Sequence, residues 1–204
     1  MTTAALFDSA RAALATRGFD ADVQTRIALF LGAVKSINLG LLATAELLPA
    51  NHIAYPFMHG QYFREAEFAT LLSRVTTWSA NPKLYLEASA LVQPLWNEYW
   101  RIQGVLGTIL DPVATYRGLA YGHALLARVR LAPILPEDID ATNAFVAAIR
   151  RIEQENGRML QAQIRLLKDM PVEIDRAARE RIVEEEQVVV DQGFERFLAW
   201  LGQK

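Results

Sequence analysis

No cysteine occurs anywhere in the 204 residues. That excludes disulfides, thiolate nucleophiles, sulfur-ligated zinc and iron–sulfur clusters. Histidine is nearly as scarce, with only His52, His59 and His123. No His-x-x-x-His or Glu-x-x-His pair exists, so a helix-borne metal site lacks its usual spacing. Neither a metal nor another cofactor is expected. The glycines form no phosphate-cradling loop, and there is no P-loop or nucleophile elbow. Neither sign of charge dominates: 21 basic and 23 acidic residues leave a net charge of −2. A phosphate-backbone partner needs a clustered positive face, so nucleic acid is not an expected partner.

The N-terminus, Met1-Thr2-Thr3-Ala4-Ala5, has no basic region followed by an apolar core, so no signal peptide is evident and a cytoplasmic location is the default. Residues 27–48 are the one candidate membrane span. Lys35, Asn38 and Glu46 interrupt it, and each is costly in lipid. A buried helix of a bundle is the better reading, with no membrane partner.

What the chain does have is helical apolar spacing. Its hydrophobic share is 52%, enough at this length for one large core. The stripe Ile27, Leu31, Val34, Asn38, Leu41, Ala45, Leu48 steps by four and three, the seam of a helix packed on other helices. The same figure returns 118 residues later, from Asn38 to Asn156, as Phe145, Ile149, Ile152, Asn156, Met159, Gln163, Leu166. Asp20 and Asp22 pair with Asp138 and Asp140 at the same offset. The two striped helices are expected over 20–48 and 138–168, related by a weak pseudo-twofold repeat.

Punctuation between these stripes is clear. Arg17-Gly18 is a helix stop and Asp20 or Asp22 the next cap. Residues 50–63, rich in aromatics and broken by Pro56 and Gly60, read as a loop or short broken helix. It either lines a pocket or is a packed connector. Asn81-Pro82 and Asp111-Pro112 look like cap plus first helical position, and Pro94 marks a kink. Gly118 and Gly122 are small residues four apart that permit close backbone approach. In the last helix Ile174, Ala178, Ile182, Val189, Phe197 and Leu201 dock on the body or on a second subunit, so a homodimer through the C-terminal helix is one expectation. Glu184-Glu185-Glu186 reads as a solvated face. No alternating run has turn signals on both sides. The expected fold is all-α: a single-domain helical bundle over residues 1–204, with about seven or eight helices.

Several residues can carry chemistry. Asn38 and Asn156 either point into one cavity and hydrogen-bond a small polar ligand, or fix helix register. Glu65 and Glu67 lie two apart and so face different directions on a helix. One of them turned inward beside Phe63, Phe68 and Leu71 would bind protons more tightly and serve as a general base. Two solvated glutamates at a helix start are the alternative. Trp78, Trp96, Tyr99 and Trp100 fall at core spacing.

Arg17-Gly18-Phe19-Asp20-Ala21-Asp22-Val23, the helix leading to Asn38 and Leu41-Leu42-Ala43-Thr44-Ala45, His59-Gly60, Glu67-Phe68-Ala69-Thr70-Leu71 and Asn81-Pro82-Lys83-Leu84 together resemble group I α-haloacid dehalogenases. The resemblance implies two related helical halves around a pocket. It also implies a carboxylate that activates water to displace halide from a 2-halo acid, without a covalent intermediate. By position, Glu67 before Phe68 would be the base and Asn81 the assisting asparagine. Glutamate stands here where the family has aspartate, and the span to Asn81 is longer by about two helical turns. Asn38, Asn156, Tyr55, His59 and Trp78 would shape the substrate pocket. The opening Leu6-Phe7-Asp8-Ser9-Ala10-Arg11 also looks like a TetR-type repressor, but residues 27–48 run on without a recognition-helix turn.

Two functions follow as expectations. One is a dehalogenase-like hydrolase acting on a small 2-halo carboxylic acid. The other is a non-catalytic helical protein that binds a small organic acid or another small ligand, or serves interaction, on the same scaffold.

Overall fold

The structure, a computed structural model, describes residues 3–43, 49–75, 82–106, 111–129, 131–135 and 143–203. These form seven α-helices and one 3₁₀ turn: α1 (Thr3–Arg17), α2 (Ala21–Ala43), α3 (Tyr55–Val75), α4 (Pro82–Leu106), α5 (Pro112–Arg128), the turn Ala132–Ile134, α6 (Ala144–Asp169) and α7 (Arg176–Leu201). There is no strand among the described residues.

Local chemistry sets the helix ends. Gly18 takes φ +82°, a conformation that costs glycine little, and its N–H closes α1 on the Leu14 carbonyl. The Asp20 carboxylate accepts from the Val23 N–H at 2.8 Å and caps α2. Asp111 caps α5, accepting from Val113 N–H, with Pro112 at the first helical position. Asn143 caps α6 through Phe145 and Val146 N–H. The capping partners expected from the repeat, Asp138 and Asp140, lie outside the described residues.

One expectation is corrected here. Residues 55–63 are not a broken stretch but the opening of α3. Pro56 falls in the first turn, where its missing N–H has no helical acceptor to lose. His52 holds the preceding turn, its Nδ1 accepting from Ala54 N–H at 3.1 Å.

Both expected seams are buried as far as they are described. On α2, Ile27, Leu31, Val34, Asn38 and Leu41 are interior, while Ala45 and Leu48 lie outside the described residues. On α6, all seven members from Phe145 to Leu166 are interior. A third seam runs into α3 as Ala54, Met58, Gln61, Glu65, Phe68, again in steps of four and three. By length and composition α2 is apolar enough to cross a membrane, but most of that stretch is covered by protein. The covering neighbours are α3, α4, α5 and α7.

The hydrophobic interior divides into two clusters. The larger joins α1, α2, α4, α6 and α7 through residues such as Ile27, Phe30, Leu95, Phe145, Phe194 and Phe197. The smaller gathers Leu42, Met58, Tyr116, Leu119, Leu166 and Ile182. Following α3 inward, Met58 belongs to the smaller cluster and Phe68 to the larger, with Gln61 and Glu65 between them. The same change of cluster falls between Leu160 and Leu166 on α6, at Gln163. A polar layer therefore lies between two apolar ones.

The offset repeat does not extend to helix neighbours. α2 lies along α3, whereas their counterparts at the offset, α6 and α7, meet only near the junction between them, through Arg179, Ile182 and Leu167, among the described residues. Instead α7 docks on α5, α1 and α4. Its inward residues Ile182, Val190, Phe194, Phe197, Leu198 and Leu201 are spent on the body of the protein.

Candidate functional site

Three helices build the polar layer. From α2 come Lys35 and Asn38, from α3 Gln61 and Glu65, and from α6 Asn156 and Gln163. All six are buried, with Lys35 2% exposed and Glu65 0%. The Lys35 ammonium donates to Asn156 Oδ1 at 2.8 Å. It also meets both Glu65 oxygens, Oε1 at 3.2 Å and Oε2 at 3.1 Å. The Phe68 ring lies 5.3 Å from Nζ, on its apolar side.

Burial pushes the Lys35 amine down and the Glu65 carboxyl up from their ordinary ranges. Their mutual attraction opposes both shifts, and the Asn38 amide also favours the Glu65 carboxylate. Desolvation dominates for each group, so burial draws the pair toward amine and carboxylic acid. The layer is not fully satisfied. Both amide atoms of Gln61 have no hydrogen-bond partner, while Gln163 faces His123 and Asn38 Nδ2 faces Glu65 without aligned bonds. Unpaired buried groups of this kind each cost about 1–3 kcal/mol.

Two spaces touch this layer. One is an internal cavity of about 10 Å³ lined by Asn38, Met58, Thr115, Gly118, Gly122 and Gln163, among others. That is room for about one water. The approach beside it is tight, since a Cβ at Gly122 would lie 3.1 Å from Asn38 Oδ1 and 3.6 Å from Gln163 Nε2. The other is an open groove of about 390 Å³ between α5, the 3₁₀ turn and α6. Leu126, Val129, Pro133 and Leu160 give it apolar walls, Arg150 and Glu153 give it charge, and Asn156 lies in its lining. Glu153 also accepts from the Leu131 N–H. A groove of similar size, about 380 Å³, lies between α2 and α4 by Ser36, Tyr85, Gln93 and Trp96, and none of the six polar-layer residues lines it.

The structure separates the expected site residues. Asn38 and Asn156 come to one cluster, joined through Lys35 and Glu65. Glu67 does not: its carboxylate is on the surface, paired with Arg151 at 2.6 Å, both side chains 58% exposed. Two residues of α-helix turn a side chain roughly 200°, so an inward Glu65 puts Glu67 outside. Asn81 and Trp78 lie outside the described residues. Tyr55 and His59 stack on each other on the outer side of α3, ring centroids 5.5 Å apart, with Phe63 beyond. Met58 is the residue of that stretch that reaches the cavity. Trp100, expected in the core, is 62% exposed and stacks on Trp96.

Lys35 was legible only as a charge that spoils an apolar run. The same anomaly marks it as a buried functional candidate, a signal that the seam spacing by itself does not carry.

A second buried charge corrects the acidic face of α7. Glu184 and Glu185 are exposed, but Glu186 is 1% exposed. Arg117 of α5 reaches it at 2.7 Å and Arg101 of α4 at 3.2 Å. Burial, together with the Glu98 carboxyl beside it, raises Glu186 to about 7. Burial works against ionising Glu98 too, but hydrogen bonds from Arg101 and Glu186 hold it below its ordinary range.

The chain matches no family model, no curated protein sequence and no solved structure.

Proposed function

We propose that the protein binds a small organic acid in the groove between α5 and α6, with the Lys35–Glu65 layer behind its floor. One observation carries this reading. Asn156 lines the groove and also accepts a hydrogen bond from the buried Lys35 ammonium. The groove is within the size range of small-molecule sites, about 300–1,000 Å³. Arg150 supplies a guanidinium for a carboxylate, and Leu126, Val129, Pro133 and Leu160 take an apolar tail. The 118-residue echo is read as the device that sends one seam amide from each striped helix to the same centre.

The test is calorimetric titration with a panel of short-chain, aryl and 2-halo carboxylic acids. A Gly157→Leu variant serves as the groove-filled control. Gly157 lines the groove, is exposed, and has open space at the Cβ position, so a leucine there is accommodated and puts apolar bulk at the groove. Saturable binding by the wild type and its loss in Gly157→Leu is the expected result. Equal binding by both proteins refutes the site.

The dehalogenase-like hydrolase is kept as a second reading on one observation: an inward carboxyl, Glu65, stands two residues from the position that the resemblance assigns to the base. Its test is halide release from 2-chloropropionate by the wild type and by Glu67→Gln. Release that is unchanged by Glu67→Gln removes Glu67 from the chemistry. Binding with no release leaves the non-catalytic reading.

A further inference from the structure

We propose that Lys35 is a carbonyl-trapping amine, forming an imine with the keto carbon of a small 2-oxo acid held in the α5–α6 groove. The inference rests on the groove reading above and adds to it a class of ligand and a covalent step.

Three features of the layer support it. The first is isolation of the amine: Nζ is shut away from bulk water, with Glu65, Asn156 and the Phe68 ring against it. A desolvated lysine keeps a larger share of its nucleophilic neutral form, and burial pushes Lys35 in that direction. The second is a proton acceptor in place, since both Glu65 oxygens lie within 3.2 Å of Nζ. The third is access. Asn156 accepts from Nζ and also lines the groove, so one side chain links the amine to the space a ligand would take. Arg150 and Asn156 are six residues apart, a rise of about 9 Å along α6. Both line the groove, which puts a guanidinium for the carboxylate in the same space as the amide that touches Nζ.

The step balances without an oxidant. The ammonium gives one proton to Glu65, and the freed nitrogen pair attacks the keto carbon. The carbon–nitrogen bond forms as the Glu65 acid returns that proton to the carbonyl oxygen, giving a carbinolamine still protonated on nitrogen. The nitrogen then loses its second proton to the Glu65 carboxylate, which delivers it to the departing hydroxyl as that leaves as water. An ammonium and a ketone thus become a protonated imine and one water, with Glu65 returned to carboxylate beside the new cation.

The chain has four lysines, Lys35, Lys83, Lys168 and Lys204, which makes the test selective. Full-length protein is incubated with pyruvate, 2-oxobutyrate or phenylpyruvate in the presence of cyanoborohydride, and the reduced adduct is mapped by peptide mass spectrometry. The expected result is labelling at Lys35 that saturates with acid concentration and is lost in Gly157→Leu. Background labelling at Lys83 and Lys168, both exposed, should be unchanged by that variant. Labelling confined to Lys83, Lys168 and Lys204 overturns the proposal. If calorimetry on the same samples still shows groove binding, the organic-acid reading survives and only the amine's role falls. If the acids neither bind nor label Lys35, both fall.

Discussion

Moving the Lys35 ammonium and the Glu65 carboxylate out of water costs several kcal/mol per ion, and their attraction returns that only with good geometry. Removing one partner is therefore worse than removing both. Glu65→Leu is expected to destabilise the protein by about 3–5 kcal/mol, because it leaves a buried cation unpaired. The double variant Lys35→Met/Glu65→Leu should recover most of that loss. Urea denaturation of the three proteins measures it, and a double variant no more stable than Glu65→Leu contradicts the pairing. Glu186 makes a second residue-scale prediction. Folding raises its proton affinity, from an ordinary 4.5 to about 7. Its contribution is whole below about pH 4.5 and is lost as the pH rises through about 7. Glu98 is shifted the opposite way, so its contribution fades on acidification instead. Glu186→Gln should therefore gain thermal stability relative to the wild type on going from pH 5 to pH 8. A constant difference between the two melting temperatures over that range would refute the assignment. Residue roles were only partly readable from the chain. Seam spacing put Asn38 and Asn156 inside, but it could not say which of Glu65 and Glu67 turned inward. That depends on the phase of α3, which starts at Tyr55 because a histidine-held turn precedes it.

At the scale of elements, the helices meet where small residues let them. Gly193 brings α7 against α4, and a Cβ there would lie 2.8 Å from Leu95 Cδ2 and 3.0 Å from its Cγ. Leu95 is buried and cannot swing away, so Gly193→Ala should cost about 1–3 kcal/mol, the usual penalty of overpacking. Gly157 sits in α6 with open space around it. Gly157→Ala should raise stability by roughly 0.5–1 kcal/mol through helix propensity and a less free unfolded chain. Thermal melts of the two alanine variants are expected to move in opposite directions, and a shared direction contradicts the packing. Caps and glycine stops were legible because their chemistry is local, as at Gly18, Asp20 and Asp111. Trp100 was not, since spacing along α4 places several aromatics near one side without saying where the neighbouring helices end. The arginine that ties α6 to α7 was equally invisible. Arg179 donates to the carbonyls of Leu167, Met170 and Val172 and lies over the Tyr116 ring, contacts set by how two helices meet.

For the whole molecule, two apolar clusters with a polar layer between them make a bundle with incompletely satisfied amides, those of Gln61 foremost, in that layer. The all-helical class followed from apolar periodicity, which records burial faithfully. A matching seam says that a helix is buried and not against which partner, so the two stripes by themselves do not establish a pseudo-twofold arrangement. The groove arises where three successive segments meet, α5, the 3₁₀ turn and α6, and has no signature in any one of them. The account stands on that groove being joined to the buried layer through Asn156. The most direct measurement is a ¹H–¹⁵N titration with a saturating short-chain carboxylic acid, watched at the side-chain amides. The account predicts progressive, saturating movement of the Asn156 amide, with the exposed Gln93–Asn97 pair unmoved. An Asn156 amide that stays fixed while the acid binds elsewhere, or that moves no more than Gln93 and Asn97, would contradict it.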